Sequence, residues 1–247
     1  MIIGNGSFLL GDCLELMASI PDGSVDMVLC DLPYGTTACK WDQIIPFEPL
    51  WSHYWRVCKP NAAIVLTASQ PFTSALVMSA IEHYAYNWVW DKVNKFTGYQ
   101  LANKRPMLDY EDVCVFARKQ PIYNKQMRDG SYTTRHVGNR NTSTLNNINN
   151  KPDQGRKVEG LNPKRIISFP SQTTKKLAHP TQKPVPLFEY LIKTYTNPGD
   201  LVLDNCAGSG TTAIAAQRSD RRWLCIERDP AYYYAAVGRV WRECNPL

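Results

Sequence analysis

Two short stretches hold the side chains that could do chemistry. The first, Asp31-Leu32-Pro33-Tyr34, follows the apolar run 25–30 and precedes Gly35-Thr36-Thr37. Asp31 is an acceptor, Tyr34 offers a flat face, and Pro33 keeps its carbonyl while giving up its N–H. At the end of a buried strand such a corner suits a flat, amine-bearing ring, although an ordinary strand-to-turn junction has the same composition. The second stretch is residues 201–212, in which an apolar run ending at Asp204 leads through Gly208-Ser209-Gly210 to Thr211-Thr212. A strand, a Gly-x-Gly turn and a helix make a nucleotide-type site, because backbone N–H groups approach a ligand only where side chains are absent.

The residues around that turn narrow the ligand. Glu227, 19 positions after Gly208, ends the following strand, where it can accept from both hydroxyls of a ribose. The third glycine of a dinucleotide fingerprint is replaced by Ala213, and there is no lysine to make a P-loop. Asp204, just before the glycines, would repel phosphates and attract an ammonium. A ligand with ribose hydroxyls and an amino-acid end fits this pattern, which makes S-adenosylmethionine the expected cofactor.

An α/β arrangement must position both stretches. A strand near 8–11 leads to a helix capped by Asp12 and Glu15 that turns Leu14, Met17 and Ala18 inward. The helix at about 48–58 has the buried stripe Leu50, Trp51, Tyr54 and Val57, and a strand over 62–68 precedes a helix over 72–82. Runs 86–90 and 112–116 read as the two outer strands of one sheet, joined by a loop with Lys95, Lys104 and Arg105. After Pro184 comes a helix with Leu187, Tyr190, Leu191 and Tyr195 on one face. The strand at 201–203, a helix after Gly210 packing through Ala213 and Ala216, and a strand at 223–226 follow. The last helix is expected to bury Tyr233, Val237, Val240 and Trp241. Residues 35–42 have no periodicity. They present Lys40 and Trp41, which fits a loop that touches nucleic acid and equally a loop anchored by its tryptophan.

Composition bounds the class. A length of 247 residues suits one α/β domain with an insertion, and 44% hydrophobic content is ordinary for a globular chain. No apolar run reaches membrane-span length, and Met1-Ile2-Ile3-Gly4-Asn5 is unlike a leader, so a cytoplasmic protein without membrane contact is expected. The eight cysteines form no C-x-x-C pair, which favours reduced, buried thiols over disulfides or a metal site. Charge is uneven: residues 118–178 carry 13 Lys and Arg against Asp129, Asp153 and Glu159, leaving 15 basic and 19 acidic residues elsewhere. The net formal charge of +6 therefore conceals a basic segment that calls for a polyanionic partner, or else a merely solvated insertion. Its Arg128, Arg135, Arg140, Lys164 and Arg165 are candidate phosphate contacts, with Lys40, Trp41, Lys104 and Arg105 outside it.

The motifs in this order resemble the amino-group DNA methyltransferases of the beta class, in which the catalytic motif precedes the cofactor motif. Asp31-Leu32-Pro33-Tyr34 resembles the D-P-P-Y corner, with Leu32 in place of the first proline. His179-Pro180-Thr181-Gln182-Lys183-Pro184 resembles the segment leading into the cofactor half, and 204–212 the D-x-x-x-G-S-G-T-T loop. Cys206 stands where an aromatic is common. The resemblance implies a Rossmann-like S-adenosylmethionine-dependent methyltransferase sheet with circularly permuted motif order. It spans nearly the whole chain except about 124–175, and with the loss of pattern and the basic charge over 118–178 it makes residues 1–117 and 179–247 the expected catalytic domain and 118–178 an inserted basic target-recognition region.

By the same resemblance Asp31, Pro33 and Tyr34 are catalytic. Asp12, Cys13, Asp31, Lys183, Asp204, Cys206, Gly208, Gly210, Thr211, Thr212 and Glu227 contact the cofactor. Double-stranded DNA is the implied partner, and a homodimer is compatible with the family. A leading Asp goes mostly with adenine N6 and a leading Ser with cytosine N4, so methylation of a flipped adenine is the reading taken. Cytosine N4, an RNA or protein amide, and a catalytically silent nucleic-acid binder are the alternatives.

Overall fold

The computed structural model describes residues 1–37, 39, 42–133, 157–171 and 182–245. In chain order the strands are β1 (Ile2–Ile3), β2 (Gly6–Leu10), β3 (Val25–Asp31), β4 (Cys58–Ala68), β5 (Tyr84–Asp91), β6 (Tyr110–Phe116), β7 (Arg128–Thr133), β8 (Lys157–Leu161), β9 (Ile166–Ser168), β10 (Leu201–Asp204) and β11 (Arg222–Glu227). The helices are α1 (Cys13–Met17), α2 (Phe47–Val57), α3 (Phe72–Ser79), α4 (Val185–Tyr195), α5 (Thr211–Arg218) and α6 (Pro230–Cys244).

Nine strands form one sheet in the order β1-β2-β11-β10-β3-β4-β6-β5-β9. From β2 to β4 neighbouring strands run parallel, whereas β6 is antiparallel to both β4 and β5. Parallel strands of this kind are apolar on both faces because helices cover both. Along β3, Met27 and Leu29 face a layer that includes α4, α5 and α6, while Val28 and Cys30 face α1, α2 and α3. Asp26, the polar exception near the start of β3, is satisfied by Lys59 Nζ at 2.5 Å and by the Leu201 amide at 2.9 Å.

Chain order and sheet order diverge between β10 and β3, from which the chain proceeds in opposite directions, to β11 and to β4. Such a switch point opens a crevice at the carboxyl ends of its strands. Asp204 ends β10 and Asp31 ends β3. Because β6 runs antiparallel, its first residues arrive at this same edge, next to the last residues of β5.

Several features depart from the sequence reading. The strands 86–90 and 112–116 are not the two outermost, because β6 lies between β4 and β5 and the edge is completed by β9, paired through Val89 and Ile166. A three-residue strand is too short to show a periodicity. Ala18 is exposed beyond the end of α1. In α6, Ala236 joins Tyr233, Val237 and Val240 in the buried stripe, leaving Trp241 on its flank at 55% exposure.

The chain divides into two compact units, 1–124 with 165–247, and 125–164. The second unit is narrower than the expected insertion. Asn124 stays with the first because its side chain donates to the carbonyls of Lys193 and Thr196, and β9 holds 166–168 in the sheet. Within the second unit β7 pairs antiparallel with β8, and Arg128 Nε donates to the Asn162 carbonyl at 3.1 Å. No helix among the described residues is long and apolar enough to cross a membrane.

Candidate active site

The carboxyl ends of β2, β3, β4, β10 and β11 surround a cavity of about 880 Å³. Asp31, Pro33, Tyr34 and Lys183 line one side of it. Asp12, Cys13, Asp204, Cys206, Gly208, Thr211, Thr212 and Glu227 line the other. Gly210 is absent from the wall; its φ of 76° turns the chain into α5, and a Cβ there would meet Val240 Cγ2 at 3.0 Å.

On the β3 side, Asp31 is held by three groups. Its Oδ2 accepts from Lys183 Nζ at 2.7 Å, and its Oδ1 accepts from Tyr34 Oη at 2.9 Å and from the Thr67 hydroxyl. Thr67 is opposite Asp31 in the β3–β4 register, so the pairing itself delivers that hydroxyl. Lys183 also lies 3.3 Å from Glu111, which pairs with Lys92 at 2.8 Å. Two carboxylates and two ammonium groups thus alternate along one chain, with both lysines buried and both carboxylates half-buried. Burial pulls the Lys183 pKa down, but Asp31 and Glu111 outweigh it and raise it above the usual lysine value. Burial likewise raises Glu111, and Lys183 with Lys92 overcomes this and lowers it.

The Tyr34 ring stacks on Phe72, with centroids 5.2 Å apart and planes 24° apart, so one face is occupied. Burial, then Asp31 and Glu111, pushes its phenol well above the ordinary range, and the group is a neutral donor. Beyond Tyr34 the chain closes on the buried Asp42, whose carboxylate accepts from the amides of Gly35, Thr36 and Thr37 at 2.7–2.9 Å.

On the β10–β11 side the contacts come mainly from backbone. Gly208 has φ 49°, and its amide donates to Glu227 Oε2 at 2.8 Å, while Glu227 Oε1 accepts from the Asp229 amide at 2.8 Å. Each Glu227 oxygen keeps a lone pair, so two acceptors are fixed side by side, as vicinal hydroxyls require. Asp204 accepts from the Cys206 amide at 3.0 Å and from the Thr212 hydroxyl, and burial raises it to about 6. Arg239 reaches the Ser209 carbonyl at 2.9 Å without lining the cavity. Carboxylates on β10 and β11 flanking the turn suit a ligand with an ammonium and ribose hydroxyls, and disfavour a diphosphate. Burial pushes the Cys30 thiol up to about 12, and hydrogen bonding to Cys206 and burial raise Cys13, so both stay protonated.

The basic candidates are placed less uniformly. Arg105 and Lys95 line the cavity, and Lys104 is exposed on the same loop. Arg128 and Lys164 belong to the smaller unit. Arg165 precedes β9, with its guanidinium 5.8 Å from the Tyr86 ring centroid and away from the cavity wall. Lys40, Trp41, Arg135, Arg140 and the stretch His179-Pro180-Thr181 lie outside the described residues.

Thr67, Lys92 and Glu111 are site residues that the sequence reading does not single out. Their signal is positional: Thr67 and Lys92 stand at the carboxyl ends of β4 and β5, Glu111 stands at the start of β6, and antiparallel pairing brings that start to those ends.

Comparison with known proteins agrees with this geometry. The YubD protein of Escherichia coli (strain K12) is 25% identical over 250 residues, spanning 94% of this chain and 89% of that one. Among solved structures, the cytosine-N4-specific PvuII DNA methyltransferase superposes with a TM-score of 0.67 at 19% identity, covering 98% of this chain and 94% of its own. The M1.HpyAVI complex with S-adenosylmethionine gives 0.62 at 22% identity over 95% and 99% of the two chains. TTHA0409 of Thermus thermophilus, complexed with S-adenosyl-L-methionine, gives 0.61 at 21% over 97% and 96%. These likenesses establish the shared fold. Residues 25–238, most of the chain and all of the cavity's β3, β4, β10 and β11 walls, match the profile of the N6/N4 DNA methylases, and the chain belongs to that family.

Proposed function

We propose that this DNA methylase transfers the methyl group of S-adenosylmethionine to the exocyclic N6 of an adenine flipped out of duplex DNA. The observation that carries the reading is the shared cavity: Asp31 and Asp204 end adjacent strands at the switch point and open onto the same space. A base amine at Asp31 and a methyl donor at Asp204 would meet there. The leading Asp of the corner supports adenine, on the resemblance described above.

Bound S-adenosylmethionine supplies an electrophilic methyl on a sulfonium. The base amine is a poor nucleophile because its lone pair is delocalised into the ring. Asp31 and the Pro33 carbonyl each accept one of its N–H groups, which draws the nitrogen toward tetrahedral geometry and frees the lone pair. With Oδ1 engaged by Tyr34 and Thr67, the remaining acceptor capacity of Asp31 is on Oδ2, beside Lys183. These partners set the carboxylate before the base arrives, so no reorganisation is needed at the reacting moment. Forming the N–C bond would break the methyl–sulfur bond, with its electron pair left on a neutral thioether, and the cationic nitrogen would then give its proton to Asp31 or to water, so Asp31 need not be a strong base.

Extruding the base costs a few kcal/mol. Stacking on the face of Tyr34 not covered by Phe72, at about 1–3 kcal/mol per base, offsets much of it. Glu227 receives the ribose hydroxyls and Asp204 the ammonium of the cofactor.

The deciding experiment is incubation with methyl-labelled S-adenosylmethionine and unmethylated genomic DNA, then digestion to nucleosides and mass spectrometry. N6-methyladenine is expected. N4-methylcytosine would retain the mechanism and overturn the adenine reading, and no methylated nucleoside despite cofactor binding would overturn the substrate.

A further inference from the structure

Between β5 and β6 the chain leaves the sheet at the cavity edge and returns to it, forming an ordered projection that the proposed reaction does not yet use. Its arms are tied where Thr97 and Leu108 exchange N–H···O bonds of 2.8 and 3.0 Å, and lower down by the Lys92 amide on the Asp109 carbonyl at 2.9 Å. The tip is a single turn: Gly98 has φ 83°, the Leu101 and Ala102 amides bond back to Gly98 and Tyr99, and Lys104 and Arg105 bond to the Leu101 carbonyl. Backbone bonding throughout makes this a stiff element.

Its surface is unusual in two ways. Phe96 is 56% exposed and Tyr99 81%, with Leu101 and Met107 about two-fifths exposed beside them. A run of exposed apolar side chains on one short projection marks a contact surface. The charged residues around them are Lys95, Lys104 and Arg105, with no acidic residue between Lys92 and Asp109. A partner that offers both negative charge and a flat apolar interior matches this pairing. Duplex nucleic acid has both, in its phosphates and its base stack.

Position supplies the remaining argument. Lys95, Thr97, Arg105 and Leu108 line the cavity together with Tyr34, so the projection stands at the mouth through which an extruded base would enter. Removing a base leaves a gap in the stack, which an inserted ring can fill. We infer that the 93–108 projection is a wedge whose tip residue Tyr99 enters the vacancy left by the target base, with Phe96 against the neighbouring base. Lys104 and Arg105 grip the flanking phosphates.

The inference rests on methylation of duplex DNA, so its test uses binding, which needs neither turnover nor a known recognition sequence. Fluorescence anisotropy at low salt compares a short labelled duplex with the same duplex carrying one central abasic site. The wild-type protein should bind the abasic duplex about tenfold more tightly, the scale of one base–aromatic stack. Tyr99→Ala should remove that preference while leaving affinity for the intact duplex and the thermal midpoint unchanged. Phe96→Ala should reduce the preference in part, and Lys104→Ala should weaken both duplexes equally.

Equal wild-type affinity for the two duplexes, or a preference that survives Tyr99→Ala, overturns the wedge. So does a wild-type dimer dissociated by Tyr99→Ala, which would assign the patch to a second copy. Label transfer to genomic DNA, measured in parallel, separates the two claims. An abasic preference without transfer sinks the proposed reaction and keeps the wedge, and transfer without the preference does the reverse.

Discussion

The two walls of the cavity are built on different principles. On the β10–β11 wall, the carboxylate at each strand end is fixed mainly by backbone amides of the loops that follow these two strands, Asp204 by Cys206 and Glu227 by Gly208 and Asp229. On the β3–β4 wall, side chains from five separate segments meet: Asp31, Thr67, Lys92, Glu111 and Lys183, the last 152 positions from its partner Asp31. A local wall keeps its shape if the distant chain is perturbed. A wall assembled from afar depends on every member, because removing one charge strands its neighbours in a buried setting.

The contrast can be broken at its strongest point by Asp31→Ala. Transfer should fall by about 10²–10³-fold or more, on the scale of losing a preset hydrogen-bonding group at a reacting atom, with cofactor affinity by calorimetry falling far less. A parallel loss of cofactor binding would mean that the two walls are not separable. Glu111→Gln tests the assembled wall alone. It leaves Lys92 and Lys183 facing one another without their shared carboxylate and should cost about 3 kcal/mol in urea unfolding. An unchanged midpoint would show that the charge chain contributes nothing.

A pH series sharpens the other wall. Asp204 rises from 3.8 to about 6 on folding, so the folded chain favours its protonated form. Its contribution to stability is therefore full below about pH 4 and is lost as pH rises through about 6. An ammonium ligand requires the ionised form, and cofactor affinity should run the opposite way, weakening about tenfold per pH unit well below 6 and levelling above it. Affinity that is flat from pH 5 to 7 would remove Asp204 from the ammonium site. The smallest effect belongs to Gly210→Ala, which puts a side chain at φ 76° against Val240 and Phe8 and should cost about 1–2 kcal/mol of stability by thermal unfolding.

This difference also explains what the sequence disclosed. The local wall is readable because Asp204, the glycines and β10 are neighbours along the chain and Glu227 ends the very next strand, and α2 is readable because Leu50, Trp51, Tyr54 and Val57 repeat at helical spacing. The β3 corner showed Asp31 and Tyr34 but concealed Glu111 and Lys92, whose roles exist only once β6 lies antiparallel between β4 and β5. Trp241 misled because a large aromatic at the flank of a stripe reads as core by composition. The edge strand β9 was hidden within a basic, irregular region, where three residues of pairing leave no pattern.

The permuted sheet order has a consequence for how the chain is made. Strand β3, apolar on both faces, has β4 beside it soon after synthesis, but its other neighbour pairs only when Val202 comes opposite Met27. Throughout the intervening translation a buried central strand presents an unpaired edge, the kind of surface on which nascent chains associate. The methylase therefore carries high contact order at its cavity, and a chain stalled before residue 201 holds the Asp31 corner on an open sheet.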